Sequence, residues 1–383
     1  MQRHVLFRIK HLSPAWFAMV MGTGISGSIL MNFPYPARWL HGIGVAFWGV
    51  AAFELAVLSV ATVLRFILYP ELWKIIIHHP LQSLFLSCIP MAYASVIMDI
   101  IALFGTRAVW AMYGLWIFNV VMSLLCAWLM VFYMYLRHQR RTVGALNAVI
   151  LLPVVTLVVC SSAGATLVEH LPRGWQPHVM IGCLLLWANG ELLAFVYTTL
   201  YVYRLLTGNL PPREAVLSGF LPIGPLGQGG YGFLLNATNF ENYLKVSYPS
   251  LNDFPVITYA GLCVAICMIG YGFYWIVTAF MTLFAAPPKS FSIAWWGLTF
   301  PVGTLAVACR QVGMVIDSDF FRVMACIIGL FVVFTSFVLT FYTAYYGFVK
   351  NRIFVGGKLE LEPMVVKAAE MATATHEKPE GLV

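Results

Sequence analysis

The residues of this chain that could do chemistry are small hydroxyls, glycines and one carboxamide, which recur in five apolar stretches. Such groups donate weak hydrogen bonds to a passing anion without trapping it, as conduction across a membrane requires. An alternative is that the same glycines and serines only allow helices to pack closely. The pattern predicts an anion pathway, and its candidate residues are Thr23, Gly24, Ser26, Ser87, Ser161, Ser162, Gly224, Gly227, Gln228, Thr304 and Arg310.

A bulky aromatic side chain, Phe300, stands beside Pro301 and Gly303 in the apolar stretch 290–313. Proline removes a backbone donor and weakens a helix interior. In lipid, the freed backbone groups need partners inside the protein or in a water-filled cavity. We therefore expect this helix to face an interior, with Phe300 obstructing the pathway near the middle of the span. The alternative is that Phe300 packs against its neighbours, as most phenylalanines in membrane spans do.

Four ionisable residues lie within the apolar stretches, and such residues are functional candidates by default. Arg310 follows Phe300 by ten positions, which is roughly 15 Å along a helix. It could attract anions at the outer mouth of a pathway, or it could extend to the interface as a structural residue. The three acidic residues are Glu54, Asp99 and Glu191. For Glu54 and Glu191 we expect structural hydrogen bonding or a subunit contact.

Motifs of enzymes and of bound cofactors are missing from the sequence. It has no His-Glu-x-x-His, no Gly-x-x-x-x-Gly-Lys-Ser/Thr and no Cys-x-x-Cys. Its eight cysteines all fall in apolar segments, which indicates reduced packing residues. We predict that the protein is not an enzyme and that it holds no metal and no cofactor.

The composition indicates an all-α, polytopic membrane protein. Hydrophobic residues make up 61% of the chain and charged residues only 10%, against about 25% charged in soluble domains. The mean hydropathy is +0.85. The net charge of +7 is explained by cytoplasmic loops and does not imply nucleic acid.

The apolar stretches predict ten transmembrane helices in five helical hairpins. Gly24, Pro90, Pro153, Pro222 and Pro301 mark the odd spans at intervals of 66, 63, 69 and 79 residues. Such regular spacing of interrupted helices suggests internal repetition. We expect the odd helices to form an inner ring around a central pore and the even helices an outer wall; a plain bundle with kinks is the alternative. The spans are 14–33, 39–66, 80–104, 108–136, 147–168, 177–205, 214–235, 253–286, 290–313 and 320–349.

The distribution of Lys and Arg predicts that both termini are cytoplasmic. With that orientation, 16 basic residues lie inside and five outside. The predicted organisation is a cytoplasmic segment 1–13, a transmembrane domain 14–352 and a cytoplasmic, disordered tail 353–383.

Two motifs of this sequence resemble those of the tellurite-resistance/dicarboxylate transporter family, which includes plant slow anion channels, fungal malate permeases and fungal sulphite efflux pumps. They are His11-Leu-Ser-Pro-Ala-Trp-Phe17 leading into Met21-Gly-Thr-Gly24, and Ala294-Trp-Trp-Gly-Leu-Thr-Phe-Pro301. Asn32-Phe-Pro-Tyr35 and Phe220-Leu-Pro-Ile-Gly-Pro-Leu-Gly-Gln-Gly229 are most similar to the sulphite efflux branch. The resemblance covers about 11–352.

The resemblance implies ten helices around a central pore, a homotrimer with one pore per subunit, and no cofactor. It also implies that Phe300, which matches the motif position of a pore-blocking phenylalanine, is the gate. Three hypotheses follow. The first is a plasma-membrane exporter of sulphite or bisulphite. The second is a proton-coupled dicarboxylate permease or an anion channel of the same family, and the third is a membrane receptor or scaffold without transport.

Overall fold

The structure is a computed structural model that describes residues 2–137, 143–208, 210–248 and 255–350. These residues form helices and turns and contain no strand, so the predicted all-α class is confirmed. The predicted tail 353–383 lies outside the described residues. The α-helices are α1 Gln2–Lys10, α2 Phe17–Met31, α3 Arg38–Leu68, α4 Glu71–His78, α5 Gln82–Phe85, α6 Cys88–Phe104, α7 Val109–Leu124, α8 Val131–Arg137, α9 Leu152–Val168, α10 Gln176–Gly208, α11 Ile223–Ser247, α12 Val256–Ala285, α13 Thr299–Val315 and α14 Asp319–Ala344.

Eight stretches of the described chain are long and apolar enough to cross a membrane. One of them, Gln82–Leu136, has 55 residues, far more than the roughly 20 that one crossing needs. Gly105 divides it with a φ of 54°, and α6 packs against α7 on either side of that turn. The more polar α11 is not among the eight. A count of ten crossings therefore stays a prediction.

Burial separates the helices into an inner and an outer set. The apolar windows of Ala148–Val168, Pro14–Met31 and Ile293–Val315 are 100%, 78% and 78% buried. Those of Arg38–Leu68 and Asp319–Gly347 are only 22% and 33% buried. This matches the predicted arrangement of odd helices inside and even helices outside.

The five inner helices pack in a closed cycle. Each contacts the next, from α2 to α6, α9, α11 and α13, and α13 returns to α2. The outer helices α3, α10, α12 and α14 each pack on the inner helix that precedes them in the chain. The inner helices are therefore surrounded by protein, and the outer ones carry the large exposed apolar side chains, such as Phe53 and Phe284.

The prolines of the inner helices lie in or beside a first turn. Pro90, Pro153 and Pro301 fall within the first three residues of α6, α9 and α13, and Pro222 immediately precedes α11. The sequence predicts Pro301 near the middle of a weakened helix, and the structure instead places it in the first turn of α13. Backbone N–H groups of a first turn have no intrahelical acceptor, so proline costs little there. The helices are continuous after these positions.

Close backbone contact between inner helices depends on glycine at one crossing in particular. A Cβ added to Gly227 of α11 would lie 2.5 Å from the backbone nitrogen of Leu305 and from Oγ1 of Thr304 on α13. Any larger residue would push the two helices apart. At this crossing, glycine allows two helices to pack closely, which is the role that the alternative interpretation of the glycines and serines predicts.

Candidate anion pathway

Two cavities lie along the axis of the five-helix ring. The large cavity, of about 550 Å³, is at the end where the inner helices begin. Every inner helix contributes to its wall, through Met21, Met91, Val155, Gly224 and Pro301.

The small cavity, of about 240 Å³, is near the other end of the ring. All five inner helices line it as well, through Ser28, Asp99, Ala165, Tyr231 and Arg310. One ring of helices thus encloses both cavities.

A short section of the ring separates the two cavities. Along α13, Pro301 lines the large cavity and Ala306 the small one, which is roughly 7–8 Å at the rise of an α-helix. We call the residues in between the closed segment, because they line neither cavity. The closed segment comprises 22–27, 92–97, 156–164, 225–230 and 302–305.

Phe300 is the second residue of α13, lines the large cavity next to the closed segment and is only 3% exposed. The turn before it is firmly anchored. Thr299 Oγ1 donates to the carbonyl of Trp296 at 2.8 Å, and Trp296 Nε1 donates to Thr343 Oγ1 on the outer helix α14 at 2.9 Å. Phe300 is therefore held at a defined position where the cavity ends.

On α2, the predicted pathway hydroxyls lie in the closed segment and bond to the outer wall. Thr23 Oγ1 contacts Glu54 Oε2 of α3 at 2.7 Å. Ser26 Oγ donates to Ser336 Oγ of α14 at 2.9 Å. Gly24 lies nearby, where an added Cβ would be 3.1 Å from the hydroxyl of Ser95.

The hydroxyls of α9 and α13 also lie in the closed segment with protein partners. Ser161 Oγ donates to the carbonyl of Cys183 at 2.6 Å, and Ser162 Oγ to that of Gln228 at 3.0 Å. Thr304 Oγ1 donates to the carbonyl of Pro301 at 2.7 Å. These groups bind neighbouring backbone in this conformation of the protein.

The remaining candidates are distributed along the axis. Ser87 is fully buried immediately before α6. Gly224 lines the large cavity and Arg310 the small one. Gly227 lies within the closed segment at the crossing of α11 and α13.

Gln228 is the least satisfied of the candidates in the closed segment. Its side chain is completely buried, and Nε2 donates only to Met98 Sδ at 3.7 Å. A thioether is a weak acceptor. Its Oε1 has no hydrogen-bond partner among the described residues. The amide thus has hydrogen-bonding capacity that the closed conformation does not use.

The large cavity is electrically favourable to anions because helices begin around it. Backbone N–H groups at helix N-termini carry partial positive charge. Lys289 lines the cavity too, and Glu214 is an opposing charge there. Short segments that precede the inner helices in the chain also line the large cavity. They are the 3₁₀ turns Pro14–Trp16, Ala148–Leu151, Val216–Phe220 and Ile293–Leu298, and the short α5.

Polar side chains that precede the inner helices form hydrogen bonds that stabilise the segments before these helices. Ser13 Oγ accepts from the Ala15 N–H at 3.3 Å and donates to Gln82 Oε1 at 2.8 Å. Asn147 Oδ1 accepts from the Val149 N–H at 3.2 Å. Ser13, Gln82 and Asn147 all line the large cavity. They were not among the residues predicted from the sequence, since single polar residues before a span carry no distinctive spacing.

The small cavity brings together ionisable side chains that lie on three of the inner helices or directly after a fourth. Asp99 and Arg310 share it with Glu169, His170 and Tyr231. From the sequence, Asp99 is only a charge in a span, and Glu169, His170 and Tyr231 are not among the predicted site residues. Asp99 and Arg310 lie on α6 and α13, which were both expected in the inner ring, but nothing in the sequence indicates that the two side chains line the same cavity.

Metal-binding clusters of three or more His, Cys, Asp or Glu side chains are not found in the part of the chain that the structure describes. All eight cysteines fall within that part and are free.

Comparison with known proteins assigns the chain to a family. Residues 11–344 match the SLAC1 family model, described as voltage-dependent anion channel. The chain is 29% identical to the sulfite efflux pump SSU1 of Arthroderma benhamiae, over 90% of this chain and 93% of that protein. It is 24% identical to the sulfite efflux pump SSU1 of Saccharomyces cerevisiae, over 85% of each.

A further relative carries a different name. The malic acid transport protein of Schizosaccharomyces pombe is 22% identical over 92% of this chain and 82% of its own length. The family match spans all five inner helices and both cavities. This chain therefore belongs to the SLAC1 (voltage-dependent anion channel) family, whose members transport anions across membranes.

Proposed function

We propose that the protein exports sulphite or bisulphite along the axis of the five-helix ring, and that Phe300 gates this route. One observation carries the proposal. Each of the five inner helices reaches both cavities, and only the closed segment lies between them. It is roughly 7–8 Å long on α13 and roughly 15 Å long on α9, and a rearrangement of this segment would join the cavities into a pore.

The helix N-termini around the large cavity support an anion as the substrate. Lys289 and Glu214 carry opposite charges there, and Arg310 lines the small cavity together with Asp99 and Glu169. The hydroxyls between them bind backbone groups or, for Thr23 and Ser26, side chains of the outer helices. An anion that passes this segment would meet weak donors. Weak contacts at several positions allow an ion to enter and also to leave.

Phe300 suits the role of a gate because of where it lies. Its side chain lines the large cavity at the edge of the closed segment and is almost fully buried. When the phenyl ring of Phe300 moves aside, Gln228 and Thr304 are buried side-chain donors of the closed segment on α11 and α13. We assign to these two residues the first contacts with an entering anion.

Assembly and location belong to the same proposal. The ring closes within one chain, so a single subunit suffices for one pore. We infer a homotrimer with three independent pores, located in the plasma membrane with both termini cytoplasmic. The 16-to-5 distribution of basic residues supports that orientation.

The test is flux of sulphite from vesicles that contain the purified full-length chain. We expect sulphite efflux down its gradient, with little competition from malate. Vesicles that show no sulphite movement would refute the proposal.

Malate transport is the second candidate, because the Schizosaccharomyces pombe relative is named as a malic acid transport protein. That function predicts malate flux that depends on a pH gradient across the vesicle. It also requires a second cationic contact for the second carboxylate. Arg310 is the only Lys or Arg among the residues that line the small cavity, and all of these are described.

A further inference from the structure

An acidic and a basic side chain, Asp99 and Arg310, line the small cavity without forming an ion pair. Asp99 is 1% exposed, and its Oδ2 has no hydrogen-bond partner among the described residues. Arg310 faces the same space, and its buried Nε also has no partner there. The ion pairs found in the described part of the chain involve neither residue.

Two further residues place these groups around a common space. Tyr231 lies close enough to both Asp99 and Arg310 to interact electrostatically with each. The hydroxyl of Ser28, which also lines the cavity, contacts the Asp99 carboxyl group. The volume of about 240 Å³ is several times the roughly 30 Å³ that one water occupies. The cavity can hold a small polyatomic anion together with water.

A carboxylate on an anion route needs a physical reason, since it repels a bare anion. Burying two unlike charges apart from each other is also costly, because each then lacks its compensating partner. Both costs disappear when a ligand bridges the two groups, with a hydrogen-bond acceptor toward Arg310 and a hydrogen-bond donor toward Asp99. A singly protonated oxyanion carries such an acceptor and such a donor on neighbouring oxygen atoms.

We propose that the small cavity is a binding site for singly protonated oxyanions, such as bisulphite. The Arg310 guanidinium binds the unprotonated oxygens, and the Asp99 carboxylate accepts a hydrogen bond from the O–H of the anion. Charge-assisted hydrogen bonds on both sides make this contact selective. Chloride and nitrate can also bind the Arg310 guanidinium, but they have no O–H group to donate to Asp99, whose carboxylate therefore repels them. The inference rests on the proposed function and specifies the substrate class of that route.

The test measures binding of bisulphite and of nitrate to the purified full-length protein in detergent by titration calorimetry. The pH is set so that the singly protonated form of sulphite dominates. For Asp99→Leu we expect the preference for bisulphite over nitrate to fall at least about tenfold, which corresponds to about 1.4 kcal/mol. Asp99→Asn keeps a weaker, neutral acceptor and should fall in between. An unchanged preference in Asp99→Asn overturns the proposal even if Asp99→Leu does not fold.

Glu169→Gln is the matched control, because it removes the same charge from an exposed side chain of the same cavity. It should change the affinities for both anions alike and leave their ratio unaltered. Arg310→Gln should weaken both anions. If Glu169→Gln shifts the ratio as much as Asp99→Leu does, the contact is general electrostatics and the proposal is wrong.

Equilibrium binding separates this inference from the proposed export. Selective bisulphite binding that depends on Asp99, in a protein that moves no sulphite across vesicles, would refute export and support the site. Sulphite flux with an anion preference that Asp99→Asn leaves unchanged would support export and refute the site.

Discussion

Replacing Phe300 with alanine should open the pathway. Phe300 is 3% exposed, and burial of a phenylalanine side chain is worth about 1.5–3 kcal/mol. An opening motion that moves the phenyl ring of Phe300 out of its packing must supply that free energy. In Phe300→Ala most of this cost is absent. Since each 1.4 kcal/mol is a factor of ten, sulphite flux should rise about tenfold to a hundredfold.

The measurement is initial sulphite efflux from vesicles at equal protein density. Phe300→Leu, which keeps an apolar side chain of smaller volume, should give an intermediate rate. Loss of a large buried side chain costs about 3–5 kcal/mol of stability on its own, so a control for destabilisation is required.

Phe220→Ala provides that control. Phe220 is fully buried and packs edge-on against Phe280 at 5.1 Å, but it lines neither cavity. It should lower the melting temperature as much as Phe300→Ala does and leave the flux unchanged. Equal flux from wild type and Phe300→Ala would refute the gate, and so would an equal increase from Phe220→Ala.

Two further predictions concern stability. Gly227→Ala should lower the free energy of unfolding by about 1–3 kcal/mol, because the new Cβ would lie 2.5 Å from the backbone of Leu305. The control is Gly49→Ala, where an added Cβ meets nothing within 4 Å; it should be neutral or raise the free energy of unfolding by up to about 1 kcal/mol. Thermal melts in detergent compare the two variants. Desolvation lowers the pKa of His79, whose Nδ1 accepts from two backbone N–H groups at 3.0 Å. The neutral ring is thus favoured in the folded state, so its contribution is complete above about pH 6.5 and is lost at lower pH. The difference in melting temperature between wild type and His79→Ala should narrow as the pH falls, and a constant difference would contradict this assignment.

Much of the fold could be predicted because the bilayer restricts what a chain can do. Apolar stretches of span length fixed the helical class, and the regular interval between Gly24, Pro90, Pro153, Pro222 and Pro301 separated inner from outer helices. The position of the prolines within each helix was harder to predict. A proline weakens a helix interior but costs little in a first turn. The sequence does not mark where the 3₁₀ turn Ile293–Leu298 ends and α13 begins, so it does not show which of the two applies to Pro301.

The site could be predicted only in part. Small hydroxyls and glycines mark the inner helices, but their partners depend on which neighbouring helix they meet. Ser26, for example, bonds to Ser336, which is 310 positions away in the sequence. The cavity that joins Asp99 to Arg310 depends in the same way on the order of helices around the ring, which no local pattern encodes.

The 3₁₀ turn Ile293–Leu298 before α13 has a mechanical consequence. A 3₁₀-helix advances about 2.0 Å and 120° per residue, and an α-helix about 1.5 Å and 100°. Rewinding these six residues into α-helix would swing the Phe300 ring through about a third of a revolution and retract it by about 3 Å. The hydrogen bonds within α13 would stay, and the anchoring bond from Trp296 Nε1 to Thr343 Oγ1 would have to break. Spin labels on α13 and α14 could record such a winding change, which would let the phenyl group leave the axis while the helix that carries it stays intact.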